Sequence, residues 1–275
     1  MSDKLLINAR RQNSYRATVL ALTFILGLGI AGCSPSESGE TLTAATTPAT
    51  PSVYTLPSYM TDYRNQWIAD PGTDLFSEEG TVVRAFVESD NIVNSSGDTA
   101  QAYPGFARAT EDTRGTVSSD RRYVSAPDVP PRTYRGTSFN RILSIQTITA
   151  GYPGDSTVVA YVCADAYDTD FDGRQPDWFR PMSASYEIRM HNTAPTPTDA
   201  AYPRFEGPRD APASDIFGGW VFDQFTSSTS NREHKDECYD WFESRHDQRY
   251  SRLSTDFTPP LVLPNYPGWP EGAAR

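Results

Sequence analysis

The chain has little of the chemistry from which metal centres and nucleophilic sites are built. It holds three cysteines and three histidines in 275 residues, and no two cysteines lie close enough to form a C-x-x-C pair. It contains no G-x-S-x-G, so the usual nucleophile elbow of esterases is missing. It contains no H-E-x-x-H and no Walker A sequence, which removes the common zinc-protease and nucleotide-loop signatures. It lacks any long apolar run beyond the N-terminus, which excludes a chain that crosses a membrane many times. Bases are scarce: Lys plus Arg is 24 against 35 Asp plus Glu, a net charge of -11. A surface of that sign repels phosphates and argues against a nucleic-acid partner. Glycine and proline number 18 and 22 without a three-residue period, so a collagen-like chain is excluded. Aromatics, at 12%, are plentiful enough to exclude disorder throughout, although mean hydropathy is only -0.55.

What is present begins at the N-terminus. The first 16 residues carry Lys4, Arg10, Arg11 and Arg16 against one acid, Asp3. Ala17 to Ile30 is an uncharged apolar stretch of 14 residues. That is short for a bilayer span, which needs about 20 residues, but it suits the core of a secretory signal. The next residues, Ile30-Ala31-Gly32-Cys33, resemble the lipobox of bacterial lipoproteins: an aliphatic residue, two small residues and a cysteine. The resemblance implies that the Cys33 thiol takes a diacylglycerol and that the peptide is cut just before it. Ile30 stands where that family usually has Leu. Removing residues 1–32 would leave a net charge of -14. Such a domain is repelled by anionic headgroups and would stand off the bilayer, held by its lipid.

Residues 33–53 read as the lipidated cysteine and a flexible linker. Between Ser34 and Ser52, 15 of 19 residues are Ser, Thr, Pro or Ala, and none is aromatic. A segment of that composition buries too little apolar area to order itself. As a random coil it spans roughly 25 Å. Thr/Pro-rich tethers of this kind look like those of actinobacterial lipoproteins. Aromatics recur steadily from Tyr54, so residues 54–275 are expected to form a single globular domain.

Within that domain, Thr61 to Ala69 reads as a short helix stopped by Asp70-Pro71-Gly72. Ser77 to Val93 reads as a longer helix, with Val82 and Phe86, and Val83 and Val87, at i,i+4. A brief helix is expected over Ala107 to Asp112, and a long loop over Thr113 to Pro131. Strands follow at Arg141 to Thr149, Ser156 to Tyr167, Ser185 to His191 and Gly219 to Phe225. Along the second of these, Val158, Ala160, Val162 and Ala164 point one way. Val159, Tyr161, Cys163 and Asp165 point the other. Ser230 to Glu233 has capping-box spacing and opens a helix running to Arg249. The proline-rich tail is irregular, with Tyr266 and Trp269 expected to lie against the domain. Helices followed by strands indicate an α+β fold: N-terminal helices on a curved antiparallel sheet, then a C-terminal helix and an irregular tail. From Asp74 to His191 this order resembles the nuclear-transport-factor-two-like cone, which implies a sheet wrapped around N-terminal helices.

With Cys33 assigned to lipid, Cys163 and Cys238 remain as an even pair in an oxidising compartment, and a disulfide is expected. The alternative, a metal or redox pair, has no C-x-x-C and no nearby histidine pair to support it. Asp168-Thr169-Asp170-Phe171-Asp172-Gly173 matches positions 1, 3, 5 and 6 of a calcium loop. Position 12 is Phe179 rather than Glu, so Asp168, Asp170 and Asp172 either hold Ca2+ or form an acidic hairpin turned at Asp172-Gly173. Of the histidines, His234 and His246 lie about 120° apart around a helix and do not share a ligand, and His191 reads as a surface residue. Asp236, Asp240, Glu243 and Asp247 share a helix face, which is either an acid–base cluster or a solvated acidic surface.

These readings converge on a lipid-anchored protein on the extracytoplasmic side of the cell membrane. Its expected role is non-catalytic, binding or scaffolding, with an envelope protein or a small ligand as partner. One rival is an envelope hydrolase or isomerase with its pocket in the cone and Asp165 or Tyr167 as acid–base group. The other is a calcium-dependent interaction module.

Overall fold

The computed structural model describes residues 53–111, 113, 131–149, 156–166, 169–171, 183–194, 203–226, 231–246 and 260–271. All belong to one compact unit, Thr50–Arg275. Cys33, the residues before it and the Ser/Thr/Pro linker lie outside the described residues, as do Tyr167, Asp168, Asp172 and Asp247.

The expected α+β fold is observed. Among the described residues, six strands form one sheet: β1 (Asp62–Ala69), β2 (Tyr134–Thr149), β3 (Ser156–Asp165), β4 (Thr169–Phe171), β5 (Ser183–Asn192) and β6 (Trp220–Thr226). The order across the sheet is β1-β2-β3-β5-β6, with β4 pairing the start of β2 beyond the end of β3. Among the described residues, three α-helices accompany it: α1 (Glu78–Ser96), α2 (Phe106–Ala109) and α3 (Arg232–Arg245). Among the described residues, no helix is long and apolar enough to cross a membrane.

Three elements differ from expectation: β2 starts at Tyr134 rather than Arg141, β4 is a strand within the expected acidic loop, and one expected helix is a strand. The stretch Asp62–Ala69 is a strand, not a helix, and it pairs with β2 in parallel, Asp62 opposite Arg135 and Ala69 opposite Ile142. Tyr63, Asn65 and Trp67 are buried on one face, the period-2 pattern of a strand. The Tyr63–Trp67 spacing fits a helical stripe equally well, and the buried polar Asn65 hides the alternation. A parallel neighbour needs a crossover connection, and α1 lies within it. The other strand pairs are antiparallel.

Helix α1 starts where Ser77 accepts a hydrogen bond from the Gly80 N–H at 3.0 Å. Glu78 and Glu79 sit at its positive end. It stops at Gly97, whose φ of 70° is the left-handed conformation that favours glycine. The Phe86 ring packs against Phe222 at 4.2 Å and Phe225 at 5.1 Å, joining the helix to the far side of the sheet. Ile142, Val158, Ala160, Val162, Ile188 and Met190 complete this inner core. Val158, Ala160 and Val162 thus share a face, as expected.

The opposite, outer face carries α3. Asn231 caps it, accepting from the backbone N–H of Glu233 at 3.0 Å and His234 at 3.4 Å. The cap is one residue later than the capping-box reading placed it, and Ser230 itself lies outside the described residues. The Cys163–Cys238 disulfide joins β3 to α3 across a sequence separation of 75 residues. A bulge in β2 between Ile142 and Ser144 brings Leu143 against that disulfide, where Tyr161 and Trp241 also pack.

Candidate functional site

The inner face is apolar under Phe86 but polar at its β1–β2 end. Tyr63, Asn65, Ser138 and Asn140 are presented there by alternation along the two strands, and Asn65, Ser138 and Asn140 are nearly devoid of solvent contact. Helix α1 delivers Arg84 and Glu88 to the same region, one turn apart.

Glu88 is the centre of this cluster. Its Oε1 accepts from the Trp67 indole N–H at 2.8 Å. Its Oε2 accepts from the Tyr103 hydroxyl at 2.7 Å and the Trp269 indole N–H at 2.9 Å. The donors come from β1, from the turn before α2 and from the C-terminal tail, so one carboxylate ties three distant segments to α1. Burial raises the Glu88 pKa. The Arg84 guanidinium and the three donors oppose that shift without cancelling it. Burial and the adjacent carboxylate together push the Tyr103 hydroxyl well above its ordinary value.

Arg84 is fully buried. It donates to the carbonyl oxygens of Phe205 at 3.0 Å and Pro267 at 3.2 Å. Its guanidinium lies 4.8 Å from the Trp269 ring centre, a cation–π distance. A cavity of about 10 Å3 borders Tyr63, Asn65, Glu88, Tyr103, Asp210 and Asn265. That is room for one water. Nearby, Asn140 Nδ2 donates to Asn65 Oδ1 at 3.2 Å, while Asn140 Oδ1 is buried without a hydrogen-bond partner.

Sequence reasoning did not single out Arg84, Glu88, Trp67 or Tyr103. The available signal was a charge pair at i,i+4 placed beside the Val83–Val87 pair, on a helix whose apolar stripe was already assigned. Trp269 was expected to lie against the domain, and it is fully buried.

The residues that were singled out lie elsewhere. Asp165 is buried on the outer face, away from the polar interior. Its Oδ2 lies 2.8 Å from Arg245 Nε and 2.9 Å from His246 Nε2, so it holds the end of α3 to the sheet. The Arg245 guanidinium stacks 3.7 Å from the Phe139 ring centre. His234 stacks on Tyr161 at 4.1 Å, separate from His246. His191 is a half-exposed residue of β5, as a surface reading has it, but its Nδ1 lies 2.9 Å from Asp223 Oδ1.

Asp236 and Asp240 line an open groove of about 710 Å3 beside α3, with Glu237, Trp241 and Arg141. Arg141 is gripped by both oxygens of Asp70, at 2.6 and 2.8 Å, and reaches Glu237 at 3.3 Å. Asp170 is a buried residue of β4, opposite Arg135; its expected companions Asp168 and Asp172 lie outside the described residues. Among the described residues, no group of three or more His, Cys, Asp or Glu is placed to hold a metal ion.

Comparison of the chain with protein-family models, with curated proteins and with solved structures found no match.

Proposed function

We propose that this chain is a lipid-anchored protein of the bacterial cell envelope, held at the extracytoplasmic face of the cell membrane through Cys33, with a binding or scaffolding role. The location rests on the run from Lys4 to Cys33 followed by a linker without aromatics. The Cys163–Cys238 disulfide fits the same compartment, because such bonds persist where the surroundings are oxidising. The likeness to the nuclear-transport-factor-two-like cone belongs with this proposal, supported by α1 lying against one face of a mostly antiparallel sheet.

The observation that carries the role is the use made of Glu88. A carboxylate that serves a reaction presents a lone pair or a proton to a substrate. Both oxygens of Glu88 instead accept hydrogen bonds from the chain's own Trp67, Tyr103 and Trp269. Asp165 is likewise engaged by Arg245 and His246. The buried polar groups set the position of α1, α3 and the tail, which is what a rigid binding surface requires.

Cell fractionation tests the anchor. The wild-type chain is expected in the membrane fraction, and Cys33→Ala is expected as a released protein or an uncut precursor. A Cys33→Ala chain of mature size that stays with the membrane would overturn the assignment.

A further inference from the structure

We propose that the free edge of β2, residues 143–149, is a self-association interface at which two copies of this chain pair antiparallel and join their sheets. Strand β1 pairs with β2 only as far as Ala69 opposite Ile142. Strand β3 continues along the other side of β2, to Ser156 opposite Thr149. Among the described residues, no strand or isolated bridge pairs with residues 143–149 on the β1 side. The main-chain groups there that point away from β3 form an open template in line with β1. Gln146, Thr147, Ile148 and Thr149 are all exposed, Ile148 by 43%.

The other edges of the sheet are guarded. The tail covers the edge of β1: the Trp67 N–H donates to the Tyr266 carbonyl at 2.7 Å, and the Tyr266 N–H donates to the Asn65 carbonyl at 3.0 Å. On β6 the Phe222 carbonyl accepts from the Thr113 hydroxyl at 2.7 Å, and a bulge sets the charged Asp223 into the strand as an extra residue. Strand β4 is only three residues long. Covers, bulges, charges and short strands are the means by which sheets avoid pairing with another chain. Residues 143–149 read Leu-Ser-Ile-Gln-Thr-Ile-Thr, without a charge or a proline and with β-branched side chains at 145, 147, 148 and 149. This edge alone carries none of those guards, and its composition favours strand pairing.

Charge and symmetry select the occupant. Residues 142–154 carry no charge, in a chain whose net charge is -11. A partner of opposite sign is drawn by charged side chains at the contact. An uncharged edge instead suits a partner of the same sign, because two acidic copies meet there without like charges facing each other. A two-fold axis at Gln146, the middle of the seven residues, sets Ile145 against Thr147 of the second copy and Ser144 against Ile148. Both members of each pair then lie on the same face of the joined sheet, with a β-branched residue in every pair beside the axis. The contact is isologous and occupies the edge in both copies, so assembly stops at two. It does not depend on how the N-terminus is held, and so stands apart from the anchor.

The test is light scattering on the full chain from about 10 µM to about 1 mM, the range of small interfaces. The mass of the wild type is expected to double across that range. Gln146 is exposed, so Gln146→Lys and Gln146→Glu leave the fold intact. Each variant alone sets two like charges against each other at the axis and is expected to weaken the dimer at least about tenfold. An equal mixture of the two sets Lys against Glu and is expected to regain the dimer. A wild type that stays monomeric at about 1 mM overturns the proposal. A dimer unchanged in either variant, or a mixture that associates no better than its components, also overturns it by placing the contact elsewhere.

Discussion

Trp269 donates its indole N–H to Glu88 at 2.9 Å across 181 residues of chain. The contact joins the last described segment to the middle of α1. With the Trp67 and Tyr103 donors it makes one carboxylate the meeting point of the tail, the edge strand and the turn before α2. Removing any one of these donors leaves buried polar groups short of a partner, which costs more than the net value of a single hydrogen bond.

The tail is therefore expected to contribute to global stability. Trp269→Phe keeps a ring in the slot and deletes the donor, and should destabilise the fold by about 2 kcal/mol. Trp269→Ala also leaves a cavity and should cost about 3–5 kcal/mol. Urea unfolding checks both, with a lower midpoint at unchanged slope. A loss below about 0.5 kcal/mol for Trp269→Ala would mean that the tail is dispensable.

Glu88 also gives the stability curve a pH dependence of known sign. Its pKa in the fold is raised by burial, so between the unfolded and folded values the native state holds the extra proton. Stability from this group is fully present below the unfolded pKa of about 4.3 and is lost as pH rises through the folded value. Glu88→Gln removes that titration. The wild type's advantage over Glu88→Gln should thus narrow as pH rises through this window, by up to about 1.4 kcal/mol per unit. A gap that widens with pH would show that Arg84 and the three donors win over burial.

Much of this fold can be read from residues whose local pattern and tertiary use agree. Val82, Val83, Phe86 and Val87 announce α1, and the alternation from Val158 to Asp165 announces β3 and its two faces. Cys163 and Cys238 are the even pair left once Cys33 is set aside, and they are joined in the structure. Strand β1 is different. Tyr63 and Trp67 fit both periods, and the residue that would decide between them is Asn65, a polar side chain whose burial is explained only by Asn140 on the neighbouring strand. Arg84 and Glu88 are hidden for the same reason. Their partners lie at Phe205, Pro267, Trp67, Tyr103 and Trp269, and no local window contains them. Asp165 shows the converse: its face is legible, but its hold on Arg245 and His246 requires the register of α3 on the sheet.

The disulfide should be the main restraint on α3. Closing a 75-residue separation is worth about 4.5 kcal/mol by the chain-entropy account, an upper figure. Cys238→Ala is expected to lower stability by about 2–4 kcal/mol and to speed amide exchange across α3 before the sheet. Thiol labelling of the unfolded, unreduced protein should find neither Cys163 nor Cys238 reactive. Two reactive thiols there would contradict the bond.

Asp165 should anchor the other end of that helix. Asp165→Asn leaves Arg245 and His246 without their carboxylate. It is expected to cost about 2 kcal/mol, below the 3–5 kcal/mol of a fully buried pair because Arg245 keeps some solvent contact. Hydrogen exchange should rise in the last turn of α3 and leave α1 unchanged. Equal protection of α3 in the variant would show that the disulfide alone holds it.

The most direct measurement is metabolic labelling of the expressed chain with palmitate, followed by mass spectrometry of its N-terminal peptide. The account predicts a labelled peptide that begins at Cys33 and a Cys33→Ala chain that takes up no label. A mature N-terminus elsewhere, or label that persists in Cys33→Ala, would contradict it.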